Sequence, residues 1–262
     1  MSTPKIIWQT WKTKKSLPDN LQKYHRKWLE SHPDYEHVLL DDEDLRNIVK
    51  ETIPEYLEIY DSFSQNIERV DFARYALLYS KGGVYADLDT VPLKKIDKWV
   101  ELNKPVIGCE PLEHAEKIYS RKQVLCNAFM ISPPGEKIWK DLMEYIVNNY
   151  EKNINPVDST GPMAMTKLYE NNPSAYKNVE ITDPCVFYPL TGSQKVSKHC
   201  DLKKDSYVAH IWTNTWTAKK WFDNPLVWNT RYWLIGLFFL TLILLILMFV
   251  LNLRNKYFKK YK

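Results

Sequence analysis

Four cysteines in a chain of 262 residues, with no Cys-x-x-Cys pair among them, exclude a zinc ribbon and a disulfide-dense scaffold. Cys109, Cys126, Cys185 and Cys200 are read as buried thiols, with room for one bridged pair if the domain is lumenal. The chain also has no GxGxxG after a strand, no GxxxxGKS/T, no GxSxG and no HExxH. Dinucleotide oxidoreductase, P-loop NTPase, serine hydrolase and zinc protease chemistries therefore lack their residues. A strong charge excess is missing as well. The formal net charge is +4, but Arg254, Lys256, Lys259, Lys260 and Lys262 fall in the last nine residues, and without them 31 basic side chains face 32 acidic ones. Such a body has no basic stripe for a phosphate backbone, which argues against nucleic acid as a partner. No Asn-x-Ser/Thr sequon occurs, and no basic stretch with an apolar run precedes Ser2-Thr3-Pro4 in the manner of a cleavable signal.

What is present is an apolar and aromatic content of 45% and 14%, enough to bury a full core. From Trp233 to Leu251 no residue is charged. At about 1.5 Å per residue, a helix of that length nearly matches a hydrocarbon core of about 30 Å. A transmembrane helix is expected over 233–253, after an aromatic juxtamembrane segment at 223–232 and before a basic tail at 254–262. Residues 1–222 alternate short apolar runs with amphipathic stretches, the pattern of an α/β domain. Strands are expected at Ile6-Ile7-Trp8, Glu36–Leu40, Val84–Leu88, Val106–Cys109, Ala128–Ser132 and Tyr207–Ile211. Helices are expected at Asp19–Ser31, Gln65–Ser80 and Glu136–Asn149.

The most informative stretch runs from Arg69 to Leu93, RVDFARYALLYSKGGVYADLDTVPL. Asp71, Arg74, Tyr75 and Leu78 share one helical face by their three- and four-residue spacing. Gly82-Gly83 stands where the helix needs a left-handed cap. In the strand that follows, Tyr85, Asp87 and Asp89 alternate with Val84, Ala86 and Leu88, which points both carboxylates the same way. Two carboxylates so placed make a hard oxygen site suited to Mn²⁺ or Mg²⁺. A cation there offsets the charge on a departing diphosphate.

With its helix and double glycine, this stretch resembles the signature of glycosyltransferases whose sugar-binding region contains a DxD motif. That family includes yeast mannosyltransferases, among them those that modify inositol phosphorylceramide. Pro4-Lys5-Ile6-Ile7-Trp8-Gln9-Thr10-Trp11 resembles its opening strand, with Trp8 where members often carry His. Leu125-Cys126-Asn127-Ala128-Phe129-Met130, Ser159-Thr160-Gly161-Pro162, Pro184-Cys185-Val186-Phe187-Tyr188-Pro189 and the closing Ala209-His210-Ile211-Trp212-Thr213-Asn214-Thr215-Trp216 follow in the family's order. The resemblance implies catalytic roles for Asp71, Arg74, Asp87 and Asp89. It implies donor contacts from Trp8, Gln9, Trp11, Asp71, Arg74, Asp87, Thr215 and Trp216, and acceptor-side places for Asn127, Thr160 and Gly161. The metal set it implies is Asp87, Asp89 and His210.

The expected fold is the GT-A type, a Rossmann-like mixed sheet flanked by helices, with the donor at the carboxyl ends of the strands. The expected activity is transfer of a hexose, mannose or another sugar, from a UDP- or GDP-sugar to a lipid-linked or glycan acceptor, with Mn²⁺ or Mg²⁺ and with retention. The competing expectation is a catalytically inactive, membrane-tethered glycan-binding or scaffold protein of the same fold. For the side of the membrane, the layout of one apolar helix after a long domain favours a catalytic domain facing the cytosol. The basic tail and its Lys259-Lys260-Tyr261-Lys262 ending favour the ER or Golgi lumen, the alternative to the expected cytosolic side.

Overall fold

The computed structural model describes residues 1–213 together with Thr215 and Thr241. Two compact units divide the chain, Met1–Thr213 and Asn214–Lys262, and every described strand lies in the first. The expected juxtamembrane segment, transmembrane helix and basic tail lie, Thr241 apart, outside the described residues. Among the described residues, no helix is long and apolar enough to cross a membrane.

In chain order the first unit runs β1 (Ile6–Thr10), α1 (Asp19–Ser31), β2 (Glu36–Leu40), α2 (Asp42–Thr52), α3 (Leu57–Ser62), α4 (Asn66–Ser80), β3 (Gly83–Ala86), β4 (Thr90–Pro92), α5 (Asp97–Val100) and β5 (Val106–Cys109). It continues with α6 (Leu112–Lys117), β6 (Leu125–Ser132), α7 (Lys137–Asn149), α8 (Pro156–Ser159), α9 (Pro162–Asn171), β7 (Glu180–Thr182), α10 (Pro184–Phe187) and β8 (Val208–His210). The main sheet has the order β2-β1-β3-β6-β5-β7, and β4 pairs with β8 in a separate antiparallel pair. Strands β2, β1 and β3 are parallel, β6 runs against both β3 and β5, and β7 lies parallel to β5. This is the mixed α/β sheet with flanking helices that the alternating pattern implies.

The two faces of the sheet feed two cores, with the period of two that a pleated strand imposes. Tyr85, Ile107 and Met130 join the cluster that contains α2, α4 and α7. Their neighbours Val84, Ala86, Val106, Phe129 and Ile131 join the opposite cluster, with Trp28, Phe187 and Tyr188. Helix α4 is enclosed on all sides, since Glu68 and every residue from Asp71 to Leu78 are buried. A helix of that kind belongs inside a domain, and its few polar side chains must find partners there.

The end of α4 follows from its glycines. Gly82 adopts φ +66°, and its amide donates to Leu78 O at 3.1 Å, which closes the last turn. Trp8 of β1 secures that turn by donating its indole N–H to Gly82 O at 2.8 Å. The chain then enters β3 directly, so the buried helix fixes where β3 begins and ends.

Two expectations need correction. The strand expected to reach Leu88 stops at Ala86, and Asp87 to Asp89 form a turn closed by Thr90, whose amide and hydroxyl donate to Asp87 O at 3.0 and 2.6 Å. Of the four expected thiols, Cys185 and Cys200 are joined in a disulfide, while Cys109 and Cys126 are free and buried. The pair meets because an antiparallel bridge between Leu190 and Val196 folds the intervening chain back on itself.

The β5–β6 pairing is irregular near the carboxyl end of β5. Ile107 pairs with Met130 and Cys109 with Leu125, so Gly108 alone faces the stretch from Cys126 to Phe129. The Tyr188 hydroxyl fills this gap, accepting from Phe129 N at 2.7 Å and donating to Phe129 O at 3.1 Å. A Cβ on residue 108 would lie 2.6 Å from the Tyr188 ring, which is why glycine stands there. Gly108→Ala is expected to destabilise the protein by about 1–3 kcal/mol through overpacking. Tyr188→Phe is expected to cost about 1–3 kcal/mol by leaving the Phe129 amide without its acceptor. Urea unfolding of the three proteins measures both: wild-type stability in Tyr188→Phe would show that the hydroxyl does not hold this part of the sheet, and in Gly108→Ala that the Tyr188 ring leaves room for a Cβ.

Candidate active site

Helix α4 carries Asp71 and Arg74 one turn apart, and both are buried. Their side chains meet at 3.1 Å, and Arg74 Nη1 also lies 3.3 Å from Asp87 Oδ1, just beyond the end of β3. Nη1 donates to Asn127 O at 2.8 Å, and the guanidinium stacks 4.5 Å from the centre of the Tyr85 ring. The Tyr85 hydroxyl in turn donates to Asp87 Oδ1 at 2.8 Å. Arg74 Nε is buried without a partner among the described residues.

Asp71 is held from the other side as well. Asn127 Nδ2 donates to Asp71 Oδ1 at 2.9 Å and Thr160 Oγ1 to Oδ2 at 3.1 Å. Gly161 lies against the same carboxylate, where a Cβ would come within 3.3 Å of Oδ2. Burial pushes the Asp71 carboxyl up to about 6, a rise that Arg74 only partly offsets. For Arg74, burial works against the charged form, but Asp87, Tyr85 and Asp71 outweigh it and raise the pKa further above its usual range.

Asp89, two residues after Asp87, is gripped by the end of the chain's first unit. Strand β8 pairs with β4 so that His210 faces Thr90, and His210 Nε2 reaches Asp89 Oδ1 at 3.0 Å. Thr213 donates to Asp89 Oδ2 twice, from its amide and its hydroxyl, both at 2.8 Å. Burial alone would raise Asp89, yet His210 and Thr213 hold it well below the usual carboxylate range. His210 is raised despite its own burial, because Asp89 favours the charged ring.

Asp87, Asp89 and His210 each offer a ligand atom, and these atoms lie within 4.8 Å of one another. Two carboxylates and one imidazole suit a hard to borderline divalent cation. The buried Nδ1 of His210 has no partner among the described residues, so the ring has capacity beyond the bond it makes to Asp89.

The residues expected to contact donor, acceptor or metal fall into three groups. Asp71, Arg74, Asp87, Asn127, Thr160 and Gly161 form one continuous network, with the residues expected on the acceptor side attached to Asp71 itself. Asp89 and His210 form the second group, linked to the first through Leu88. The rest lie apart. Gln9 reaches Asp87 O only at 3.5 Å and pairs with His25 at 2.6 Å. Trp8 spends its indole N–H on the glycine turn. Trp11 is half-buried, with its amide on Leu40 O. Thr215 and Trp216 belong to the second unit, and Trp216 lies outside the described residues. Residue-by-residue reading missed Tyr85 and Thr213, although both stand inside the family's motifs. The i, i+4 pair Glu110 and His114, bonded at 3.0 Å, also escaped it.

Comparison with known proteins agrees with this geometry. Residues 18–104 match the family model described as a glycosyltransferase sugar-binding region containing a DXD motif. Inositol phosphoceramide mannosyltransferase 2 of Schizosaccharomyces pombe is 31% identical over 199 residues, covering 71% of this chain and 50% of its own. The initiation-specific alpha-1,6-mannosyltransferase of Candida albicans is 36% identical over 110 residues, covering 40% of this chain and 29% of its own. An uncharacterised glycosyltransferase of Acanthamoeba polyphaga mimivirus is 27% identical and aligns over 84% of this chain and 88% of its own. The chain thus spans half or less of the length of the two fungal relatives.

The Asp71 carboxyl gives a pH dependence with a definite sign. Its folded value, about 6, exceeds the ordinary 3.8, so folding favours the protonated form. The stability this provides is complete below the ordinary value and is lost as pH rises through about 6. In chelator-treated protein, the stability of wild type relative to Asp71→Asn should therefore fall between pH 4 and pH 7, by on the order of 1–3 kcal/mol. Urea unfolding at both pH values measures it, and a difference independent of pH would show that burial does not govern this group.

Proposed function

Because the chain belongs to the family of glycosyltransferases whose sugar-binding region contains the DXD motif, we propose that it transfers a hexose from a nucleotide-sugar donor to a hydroxyl-bearing acceptor in a metal-dependent reaction of the GT-A type. The observation that carries this reading is the convergence of Asp87, Asp89 and His210 beside the buried Arg74. Asp87, Asp89 and His210 would hold Mn²⁺ or Mg²⁺, which when bound neutralises the diphosphate of the donor. Arg74 supplies a fixed positive charge next to that diphosphate, and Asp71 and Asn127 keep its guanidinium in place. Retention of configuration belongs to the proposal through the family alone.

The fungal relatives are named for mannose transfer, in one case to inositol phosphoceramide, which makes mannose the first sugar and a glycolipid the first acceptor to try. A membrane anchor at 233–253 would suit such an acceptor. The Cys185–Cys200 bridge favours an oxidising compartment, and so a lumenal rather than cytosolic catalytic unit.

A screen of UDP- and GDP-sugars for Mn²⁺-dependent hydrolysis tests the activity. Asp89→Ala is expected to lower that hydrolysis by at least about 100-fold with the fold intact, the scale of removing an electrostatic anchor from a transition state. Hydrolysis that survives chelation or this substitution would refute metal dependence. Compartment is checked separately: in sealed microsomes the catalytic unit should resist added protease until detergent is present. Under denaturing, non-reducing conditions two of the four cysteines, Cys109 and Cys126, should react with maleimide. Four reactive thiols in protein isolated under alkylating conditions, together with digestion of intact microsomes, would place the unit in the cytosol.

A further inference from the structure

Glu110 follows β5 at the sheet edge where Asp87 leaves β3 and Asn127 enters β6. It is 3% exposed, and among the described residues its only ionic partner is His114. The hydrogen bonds fix the state of that partner. Gly192 N donates to His114 Nε2 at 2.9 Å, so Nε2 is an acceptor and the ring proton sits on Nδ1. That proton is donated to Glu110 Oε2 at 3.0 Å. A neutral imidazole therefore orients the carboxylate without neutralising it, and no described residue donates to Oε1. Oε1 is not sealed from solvent, so it remains available to accept a hydrogen bond from a ligand.

Trp212, whose ring packs against His114, is held at an energetic cost. Trp212 adopts φ +57°, a conformation unusual for a bulky side chain. Its indole N–H is pinned to Leu190 O at 2.6 Å. Its ring stands between two imidazoles, with its centre 4.7 Å from that of His114 and 4.2 Å from that of His210. One contact chain thus runs from Glu110 through His114, Trp212 and His210 to Asp89. Trp212 is half-buried, so part of its surface remains accessible.

We infer that Glu110 and Trp212 form the acceptor subsite, in which the Glu110 carboxylate accepts a hydrogen bond from a hydroxyl of a ring polyol, a sugar or a cyclitol, packed against the Trp212 indole. Bonds from a hydroxyl to an ionised carboxylate are among the stronger ones available, and a site built around one rejects rings that lack the hydroxyl. His114 acts as a positioning residue through Glu110. This inference rests on the glycosyltransferase reading and specifies its acceptor end.

The test uses the full chain, Mn²⁺ and whichever sugar nucleotide the wild type hydrolyses, with methyl α-mannopyranoside and myo-inositol as separate acceptor probes. Release of the nucleotide without acceptor reports hydrolysis, and product formation with acceptor reports transfer. Glu110→Gln is expected to lower the ratio of transfer to hydrolysis at least tenfold, chiefly through a raised KM for the acceptor. Glu110→Asp should recover part of that loss, and His114→Gln should fall between the two. Which probe shows the effect identifies the ring as sugar or cyclitol. An unchanged ratio overturns the inference, as does a parallel fall in hydrolysis and transfer, which marks Glu110 as structural. Wild type that hydrolyses donor but transfers to neither probe overturns it too. Wild type that hydrolyses no donor fails at the earlier step, and the glycosyltransferase reading falls first.

Discussion

A single guanidinium, 2% exposed, sets the positions of four parts of the fold. Arg74 reaches Asp71 on its own helix, Asp87 at the end of β3 and the backbone of Asn127 in β6, and it rests on the Tyr85 ring. Asp71 extends the set to Thr160, which precedes α9. Burying a charge in this way costs several kcal/mol unless partners surround it. The arrangement is tolerable only while helix, both strands and the Thr160 turn stay in register. The irregular β5–β6 pairing therefore has a function in this arrangement. Without the Tyr188 plug over Gly108, the stretch from Cys126 to Phe129 would lose its anchor, and Asn127 would lose its place beneath Arg74.

The second half of the site is assembled by a different device. The small β4–β8 pair carries the chain back so that His210 and Thr213 close on Asp89. Trp28 of α1 supports β4 from below, donating to Thr90 O and Oγ1 at 3.1 Å each. The two halves meet through the short turn Asp87-Leu88-Asp89, and Leu88 is buried between its acidic neighbours. A shift of either sheet changes the spacing of the two carboxylates, the quantity on which a shared cation would depend.

Much of this was legible in the residues. The apolar periodicity and β-branched runs gave α1, β2 and β5 with their observed bounds, and the double glycine marked the end of α4. The pairing of Asp87 with Asp89 was right for the wrong geometric reason. Strand alternation put both on one face, whereas a turn closed by the Thr90 hydroxyl brings them together. The disulfide could not be read, since spacing says nothing of the fold-back at Leu190 and Val196 that joins Cys185 to Cys200. Glu110 and His114 escaped because an i, i+4 pair beside a proline looks like an ordinary helix start. Only the tertiary contact from Gly192 reveals which ring nitrogen holds the proton.

Counting free acceptor positions separates the carboxylates that hold the site from those that can meet a ligand. A carboxylate offers about four acceptor positions. Asp71 gives three of them to Arg74, Asn127 and Thr160, so it fixes the guanidinium and has little left for a sugar. Asp89 is as fully engaged, but one of its bonds is to His210, which a cation held by both residues would replace. Asp87 keeps Oδ2 free of described donors, and Glu110 keeps Oε1 free. These two open oxygens belong to residues at the carboxyl ends of β3 and β5, with β6 between them in the sheet. A donor held at Asp87 and an acceptor held at Glu110 would therefore approach each other over the irregular start of β6. On this reasoning Asn127 would stand between the two: its side chain orders Asp71 and its carbonyl orders Arg74.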